Sequence, residues 1–274
     1  MQGRVLIIAG SDSGGGAGIQ ADIKTVTALG GYAMTAITAL TAQNTKGVFG
    51  VHPVPPDFIA QQIELVVRDL GVDALKTGML HSAEVIEIVV ATLARVAPRQ
   101  PLVADPVMVA KGGANLLVPS AADTLKKKLL PRALVITPNV PEAEALTGLK
   151  IASLDDMRAA AAMLLAMGPK AVLLKGGHLK GAQVFDLLLQ ADEREEVFAS
   201  ARIRTRHTHG TGCTLASAIA TGLAQKLSLR DAVARARVYV LKAIEQAPGY
   251  GKGNGPLDHG HTVKPLPVPR RKGR

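Results

Sequence analysis

The amino-acid sequence predicts an α/β fold with one central, mostly parallel sheet. Short, continuously apolar runs such as RVLIIAG (residues 4–10) alternate with longer amphipathic runs such as PDFIAQQIELVVRDL (residues 56–70). Unbroken apolar runs are typical of strands that are covered on both faces. The alternation of strand and helix favours parallel strands joined by right-handed crossovers.

Six strands and six helices are predicted before residue 178. The predicted strands cover residues 4–10, 34–42, 74–79, 101–107, 133–139 and 171–177. The predicted helices cover residues 18–30, 56–70, 82–97, 119–129, 141–147 and 153–168. Ser153 with Asp156, and Ser228 with Asp231, have the spacing of a capping box, which indicates two helix starts.

The pattern changes near residue 181. Residues 181–190 and 195–205 read as two antiparallel strands joined by the polar turn ADERE, and helices over 211–226 and 228–247 close the fold. No linker and no internal repeat is found before residue 248. We therefore predict a single domain over residues 1–261, which ends in a glycine-rich loop, and a basic, proline-rich tail over residues 262–274 that does not fold.

The formal net charge of +10 is concentrated at the end of the chain. Half of this excess comes from basic residues of the predicted tail, which has no acidic residue: Lys264, Arg270, Arg271, Lys272 and Arg274. The remaining chain is mildly basic, as in many proteins that handle phosphates. Because aromatic residues are scarce and Trp is absent, a nucleic-acid partner is disfavoured.

The cysteine content and the apolar runs bear on location. One cysteine cannot form an internal disulfide, which fits a reducing compartment. The first ten residues lack the features of a signal peptide, and no apolar run approaches the roughly 18–20 residues that span a bilayer. We expect a cytoplasmic protein with no membrane partner.

The first motif is AGSDSGGGAGIQADIKT (residues 9–25), which follows a strand and opens a helix. Such a loop is expected to expose backbone N–H groups to an anion or a polar ligand. It lacks the Walker A lysine. Gly16 to Ala21 fit the loose dinucleotide pattern, but no acidic residue lies between Asp22 and Asp57 to bind a ribose, so a dinucleotide is disfavoured.

The second motif is HTHGTGC (residues 207–213), which precedes a predicted helix. At a helix start, the N–H groups of Gly210, Thr211 and Gly212 lack helical partners and favour negative charge, such as a phosphoryl group in transfer. Cys213 lies in the first turn, where a thiol pKa of roughly 8.5 is expected to fall, so that a thiolate could accept a proton from a hydroxyl. The alternative is a small, buried apolar side chain.

Polar residues mark the carboxyl ends of three predicted strands: Asp105, Asn139 with Glu142, and Lys175. Carboxylate and amide oxygens suit Mg²⁺, and a lysine suits a phosphate. The alternative for Asn139 and Glu142 is capping of the following helix. A metal pair formed by His207 and His209 is disfavoured because no third ligand is found nearby.

These motifs resemble, in order, those of the hydroxymethylpyrimidine/phosphomethylpyrimidine kinases of thiamine biosynthesis, which belong to the ribokinase-like superfamily. The matching stretches, over about residues 4–260, are GSDSGGGAGIQADIKT, TALTAQNT, KTGML, DPVMVAKGG, TPNVPEAE, LLKGGH and THGTGCTLASAIA. The resemblance implies a three-layer α/β/α fold. It also implies two ATP-dependent phosphorylations, of hydroxymethylpyrimidine to its monophosphate and then to the diphosphate.

The resemblance also implies roles for individual residues. Cys213 matches the family's catalytic base, and Gly210, Thr211 and Gly212 match its anion hole. Gln43 matches the residue that reads the pyrimidine, with Ala17, Met79 and Val107 lining the pocket. The ATP site matches Asn139, Glu142 and Lys175, and the Mg²⁺ site matches Asp105 and Glu142. The implied cofactors are ATP and Mg²⁺, the implied partner is a small molecule, and a homodimer is common among relatives.

One departure and several alternatives remain. Arg237 stands in the last helix where many members have a lysine, which leaves the nucleotide contacts of that helix open. Pyridoxal or pyridoxine kinase is the nearest alternative, because some members with this cysteine also take pyridoxal. A nicotinamide dehydrogenase and a nucleic-acid-binding protein are the alternatives of other classes.

Overall fold

One nine-stranded sheet runs through the part of the chain that the computed structural model describes, residues 2–108, 113, 116–192, 194–264 and 266. Its strands are β1 (Arg4–Asp12), β2 (Tyr32–Asn44), β3 (Gly47–Pro53), β4 (Ala74–Thr77), β5 (Leu102–Ala104), β6 (Val135–Ile136), β7 (Ala171–Lys175), β8 (Gln183–Gln190) and β9 (Glu195–Ala201). The spatial order is β3-β2-β1-β4-β5-β6-β7-β8-β9. In this order, the six neighbouring strands β2, β1, β4, β5, β6 and β7 are parallel to one another. At the two ends of the sheet, β3 pairs antiparallel with β2, β8 with β7 and β9 with β8.

The helices are close to those predicted. They are α1 (Gly18–Ala28), α2 (Pro56–Leu70), α3 (Ala83–Val96), α4 (Ala122–Thr124), α5 (Val140–Thr147), α6 (Leu154–Leu165), α7 (Thr211–Ala224) and α8 (Leu229–Glu245). Ser153 and Asp156 form the predicted reciprocal capping box at the start of α6. Ser228 caps α8 by accepting the Asp231 N–H. No helix among the described residues has the length and apolarity that crossing a membrane requires.

Two apolar cores lie on opposite faces of the sheet. In β1, Leu6 and Ile8 belong to the core that contacts α2, α3, α5 and α6. Val5 and Ile7 belong to the other core, which contacts α1, α7 and α8. Because side chains alternate along a strand, one continuously apolar strand supplies both cores. The predicted three-layer arrangement follows from this.

Two elements differ from the sequence prediction. Strand β3 was not predicted, because its residues GVFGVHP are half-buried or exposed and are held at the sheet edge by pairing with β2. The helix predicted over 119–129 is instead a series of short 3₁₀, α and π turns from Pro119–Ala121 to Leu130–Arg132. Leu125 and Leu129 of the π turn and Leu130 of the 3₁₀ turn that follows are all buried in one core.

Strands β5 and β6 are shorter than predicted. Pro106 and Pro138 follow within two residues of their ends, and proline has no N–H to continue a ladder. The chain therefore leaves the sheet at Asp105 and near Asn139. The single domain over residues 1–261 stays a prediction, and most of the predicted tail, residues 265 and 267–274, lies outside the described residues.

Candidate active site

A cavity of about 930 Å³ opens at the carboxyl edge of the parallel strands, where α/β proteins bind ligands. It is lined by residues that follow β1, β4, β5, β6 and β7 and by the first turn of α7. Every site residue named from the sequence lines it: Ala17, Gln43, Met79, Asp105, Val107, Asn139, Glu142, Lys175, Gly210, Thr211, Gly212 and Cys213. Residues from all three motifs therefore share one cavity.

The first glycine loop, residues 13–18, is organised by Asp12 at the end of β1. Asp12 is 1% exposed, and its carboxylate accepts the N–H groups of Gly14 (2.7 Å), Gly16 (3.0 Å) and Ala17 (2.7 Å). N–H groups of this loop were expected to face an anion or a polar ligand, and for these three residues that expectation is wrong. The Asp12 carboxylate accepts the N–H groups that an anionic ligand would otherwise bind.

The second glycine loop, residues 210–212, contacts the first. Gly210 has a positive φ of 81°, and a Cβ at this position would overlap the carbonyl oxygen of Gly16. His209 Nε2 lies 2.9 Å from Asp12 Oδ2. Burial alone would raise the pKa of Asp12, but the bonds from His209 and from the loop's N–H groups outweigh it and hold that pKa below its usual value. One carboxylate thus joins both loops.

The first turn of α7 faces the cavity. Gly210 is the N-cap and has no side chain to offer. The Thr211 N–H donates to the Thr208 carbonyl over 3.4 Å, and the next N–H groups of the helix, those of Gly212 and Cys213, are left for a ligand. A Cβ at Gly212 would lie 3.3 Å from Lys175 Nζ and 3.4 Å from Asp105 Oδ2, so this backbone passes directly beside both charged groups. The arrangement suits a phosphoryl group bound between the helix start and a lysine.

Cys213 is half-buried and lines this cavity. Burial raises its pKa to about 11, although Lys76 and the N–H of Gly18 act in the opposite direction. The sequence-based expectation of a lowered pKa is therefore wrong. A helix start favours the thiolate, but here the loss of solvent outweighs that effect.

A fully buried ion pair lies behind the thiol. Lys76 Nζ is 2.7 Å from Asp22 Oδ2, both side chains are 0% exposed, and Ser217 Oγ donates to Asp22 Oδ1 (2.7 Å). Burial alone would lower the pKa of Lys76, but Asp22, Cys213 and Asp105 raise it, so the ammonium stays charged. This pair was not predicted from the sequence, because nothing in the spacing of residues 22 and 76 shows that they meet.

The polar residues at the strand ends form a second charged group. Lys175 Nζ lies 3.0 Å from Asp105 Oδ1, which also accepts the hydroxyl of Thr137 (2.9 Å). Asn139 and Glu142 form a reciprocal capping box at the start of α5, as the capping alternative predicted. Burial raises the pKa of Glu142 to about 7 against the opposing effect of Lys175.

A metal would need ligands beyond these side chains. Within the described ranges, no group of three or more His, Cys, Asp or Glu side chains could hold a metal ion. Mg²⁺ is commonly bound by one or two carboxylates together with substrate phosphates and water, so Asp105 and Glu142 fit a Mg²⁺–nucleotide and not a metal bound alone.

Arg237 is held inside the protein. Its Nε donates to Asp186 Oδ2 (2.8 Å), and its guanidinium carbon lies 5.4 Å from the ring centroid of Phe198. Arg237 and Asp186 both line the cavity. The arginine therefore uses its planar shape in a pair and a ring contact, which a lysine would not reproduce.

The glycine-rich segment over residues 248–260 was predicted only as a loop leading to the tail. It packs against the site: Asn254 N donates to Thr45 O (2.8 Å), and His209 N donates to Gly255 O (3.1 Å). His259 Nε2 lies 2.9 Å from Thr214 Oγ1, next to Cys213 in α7. Its five glycines were the only sequence signal, and they also fit a free linker.

Comparisons with known proteins agree with this geometry. The family model described as phosphomethylpyrimidine kinase matches residues 12–258. The chain is 54% identical to the thiamine biosynthesis bifunctional protein ThiED of Geobacter sulfurreducens, over 94% of this chain but only 52% of that longer protein. It is 51% identical to a hydroxymethylpyrimidine/phosphomethylpyrimidine kinase of Streptomyces coelicolor, over 94% of this chain and 95% of the relative.

A solved structure supports the fold. The pyridoxal kinase of Staphylococcus aureus in complex with pyridoxal superposes with a TM-score of 0.88 at 36% identity, covering 96% of each chain. This confirms the three-layer, ribokinase-like fold that the resemblance implied. With the family model covering most of its length, the chain belongs to the phosphomethylpyrimidine kinase family.

Proposed function

We propose that this protein uses ATP to phosphorylate 4-amino-5-hydroxymethyl-2-methylpyrimidine to its monophosphate and then to the diphosphate, in thiamine diphosphate biosynthesis. The observation that carries the proposal is one cavity that is lined by Gln43, by Cys213 and by the start of α7. The names of the relatives from Geobacter sulfurreducens and Streptomyces coelicolor support the substrate class.

The substrate is proposed to bind through its ring. The Gln43 amide carries both a donor and an acceptor for an aminopyrimidine edge. Ala17, Met79 and Val107 supply apolar walls. This pose directs the hydroxymethyl group towards Cys213. With a pKa of about 11, only the minor thiolate form of Cys213 can accept the hydroxyl proton, as the oxygen attacks the γ-phosphorus of ATP and the bond to the bridging oxygen breaks.

The nucleotide is proposed to lie along the strand ends. The N–H groups of Gly210, Thr211 and Gly212 stabilise the charge of the phosphoryl group in transfer, and Lys175 contacts the phosphates. Asp105 and Glu142 would hold Mg²⁺, with Asn139 fixing Glu142 through their capping box. Bound there, Mg²⁺ would neutralise phosphate charge. Because burial raises the pKa of Glu142 to about 7, its carboxyl is only partly ionised at neutral pH, and we expect nucleotide binding to strengthen as the pH rises.

The test is a product assay with hydroxymethylpyrimidine and ATP that resolves the monophosphate from the diphosphate. We expect both products, in that order, and no phosphorylation without ATP. Absence of both products from a folded, ATP-binding enzyme would refute the proposal.

Pyridoxal kinase activity is the second candidate. The superposition on the pyridoxal kinase of Staphylococcus aureus favours it, but the identity of 36% is well below the values for the two thiamine relatives. Competition between pyridoxal and hydroxymethylpyrimidine for phosphorylation would separate sole from dual specificity. We further propose a cytoplasmic location, small-molecule substrates and a homodimer, the last on the resemblance alone.

A further inference from the structure

Gln43 stands at an irregular position of β2. Ala42 pairs with Gly50 of β3 but Gln43 pairs with Val48, so the extra residue of this β-bulge, Phe49, lies in β3 opposite Gln43. The Ser13 hydroxyl donates to the Gln43 carbonyl (2.9 Å) and accepts the Gln43 N–H (3.0 Å). These bonds fix the backbone of Gln43, but they do not decide which way its amide points.

Thr41 decides the direction of that amide. It lies two residues earlier on the same strand face and is 9% exposed. Its hydroxyl donates to the carbonyl of Ser11 (2.8 Å), and Gln43 Nε2 donates to the same hydroxyl oxygen (2.8 Å).

The chemistry of these partners allows one arrangement. The Ser11 carbonyl can only accept, so the single hydroxyl proton of Thr41 points to it, and the hydroxyl oxygen then needs a donor from Gln43. A flipped amide would place Oε1 against an oxygen that has no proton left to give. One N–H of Nε2 is therefore committed to Thr41, and Oε1 with the second N–H remain for a ligand.

We propose that Thr41 is a specificity-determining positioning residue, which fixes the Gln43 amide as an acceptor–donor pair facing the cavity. This inference rests on the proposed function. An aminopyrimidine offers an exocyclic amine beside a ring nitrogen, and one amide orientation matches that edge, as for glutamine and adenine. A pyridine ring that carries a hydroxyl and no amine lacks this edge.

The test compares Thr41→Val, which keeps the shape and removes the hydroxyl, with Thr41→Ser, which keeps the hydroxyl. For Thr41→Val we expect kcat/KM for hydroxymethylpyrimidine to fall at least tenfold, KM for ATP to stay within twofold, and discrimination against pyridoxal to shrink. Thr41→Ser should stay within threefold of wild type. Thr221→Val is the matched control, because it removes another buried hydroxyl that donates to a carbonyl (2.7 Å) away from the cavity.

A double-mutant cycle tests whether Thr41 acts through Gln43. In the Gln43→Leu background, adding Thr41→Val should change kcat/KM by less than twofold. The inference is overturned if Thr41→Val lowers kcat/KM as much in the Gln43→Leu background as in wild type. It is also overturned if Thr41→Val alone stays within twofold of wild type, or if Thr41→Ser is as impaired as Thr41→Val.

Failure of the proposed function is a separate result. If wild-type enzyme forms neither product, the proposed function fails whatever the variants do. If wild type forms both products and Thr41→Val does so equally well, only the role of Thr41 fails. Isothermal titration calorimetry without ATP measures how tightly wild type, Thr41→Val and Thr41→Ser bind hydroxymethylpyrimidine, so that catalysis does not contribute. We expect Thr41→Val to bind at least tenfold more weakly than wild type and Thr41→Ser to stay within threefold.

Discussion

Residues 13–18 and residues 210–212 are both glycine-rich turns that precede a helix, α1 and α7, beside the same cavity. In the first loop, the carboxylate of Asp12 takes the N–H groups of Gly14, Gly16 and Ala17. In the second loop, the N-cap is Gly210, which offers no side-chain acceptor. The same glycine-rich pattern thus has two outcomes, and we expect an anion to bind at the second loop and not at the N–H groups that Asp12 already binds.

The largest effect is expected at the second loop. Cys213→Ala should leave the fold and ATP binding intact and lower kcat by roughly 10²–10⁴, the usual contribution of general acid–base catalysis. Cys213→Asp should restore part of the rate, because a carboxylate accepts the same proton. The measurement is single-turnover phosphorylation of hydroxymethylpyrimidine. An Ala variant within about threefold of wild type would leave the α7 anion hole as the main source of catalysis.

The raised pKa of the Cys213 thiol can be tested through the pH dependence of its reactivity. With a pKa of about 11, the thiolate fraction of the free enzyme rises about tenfold for each pH unit between 7 and 9. Alkylation of Cys213 by iodoacetamide should follow that slope, measured by mass spectrometry. A rate that levels off below pH 9 would mean that the helix start, and not burial, controls the thiol.

The contact between residues 13–18 and residues 210–212 is tested by replacing two glycines that have similar backbone angles, Gly210 and Gly15, with alanine. Gly210 and Gly15 have φ values of 81° and 76°, so alanine is strained at both by about 1–2 kcal/mol. Only at Gly210 would the Cβ overlap a backbone carbonyl; at Gly15 the nearest atom is the flexible Lys24 Nζ at 3.4 Å. Gly210→Ala should lower the free energy of unfolding in urea by about 4 kcal/mol. Equal losses for both variants would show that the loops separate without cost.

The smallest effect is expected from the charge of Asp12. Because its pKa is lowered in the folded state, the carboxylate adds stability above its unfolded pKa of about 3.8 and loses it as pH falls through the folded value. Asp12→Asn should lower the free energy of unfolding by about 1–2 kcal/mol at pH 7 and by less at pH 3. The exposed Asp69→Asn is the control, and a loss for Asp12→Asn that is the same at both pH values would contradict this assignment.

The sequence predicts features that depend on neighbouring residues better than features that depend on residues far apart along the chain. Apolar runs define β1 and β7, and the spacing of Ser153 and Asp156 gives the start of α6, because these signals are local. The motifs gave the residues of the cavity in the same way. The ion pair of Lys76 and Asp22 joins positions 54 residues apart, and only the tertiary fold brings them together.

The electrostatics were the least predictable part. The expected fall in the pKa of Cys213 came from its place at a helix start, which the structure contains. The sign was wrong because it depends on how much solvent the surrounding elements remove, and spacing carries no information about that. The use of Asp12 by its own loop was missed for a related reason, since a carboxylate before several glycines also fits a ligand contact.

The ion pair of Lys76 and Asp22 has a consequence for the chemical durability of the enzyme. Burial is the main cause that keeps Cys213 a neutral thiol at neutral pH; within the pair, Lys76 lowers the pKa of that thiol and Asp22 raises it, so the attraction of the ammonium for a thiolate is partly offset. Peroxides and electrophilic drugs react with thiolates far faster than with thiols. The resting enzyme should therefore tolerate oxidative stress that inactivates enzymes with acidic catalytic cysteines. A covalent inhibitor would need an electrophilic group attached to a tightly bound substrate analogue, because the electrophile alone would react slowly with this thiol.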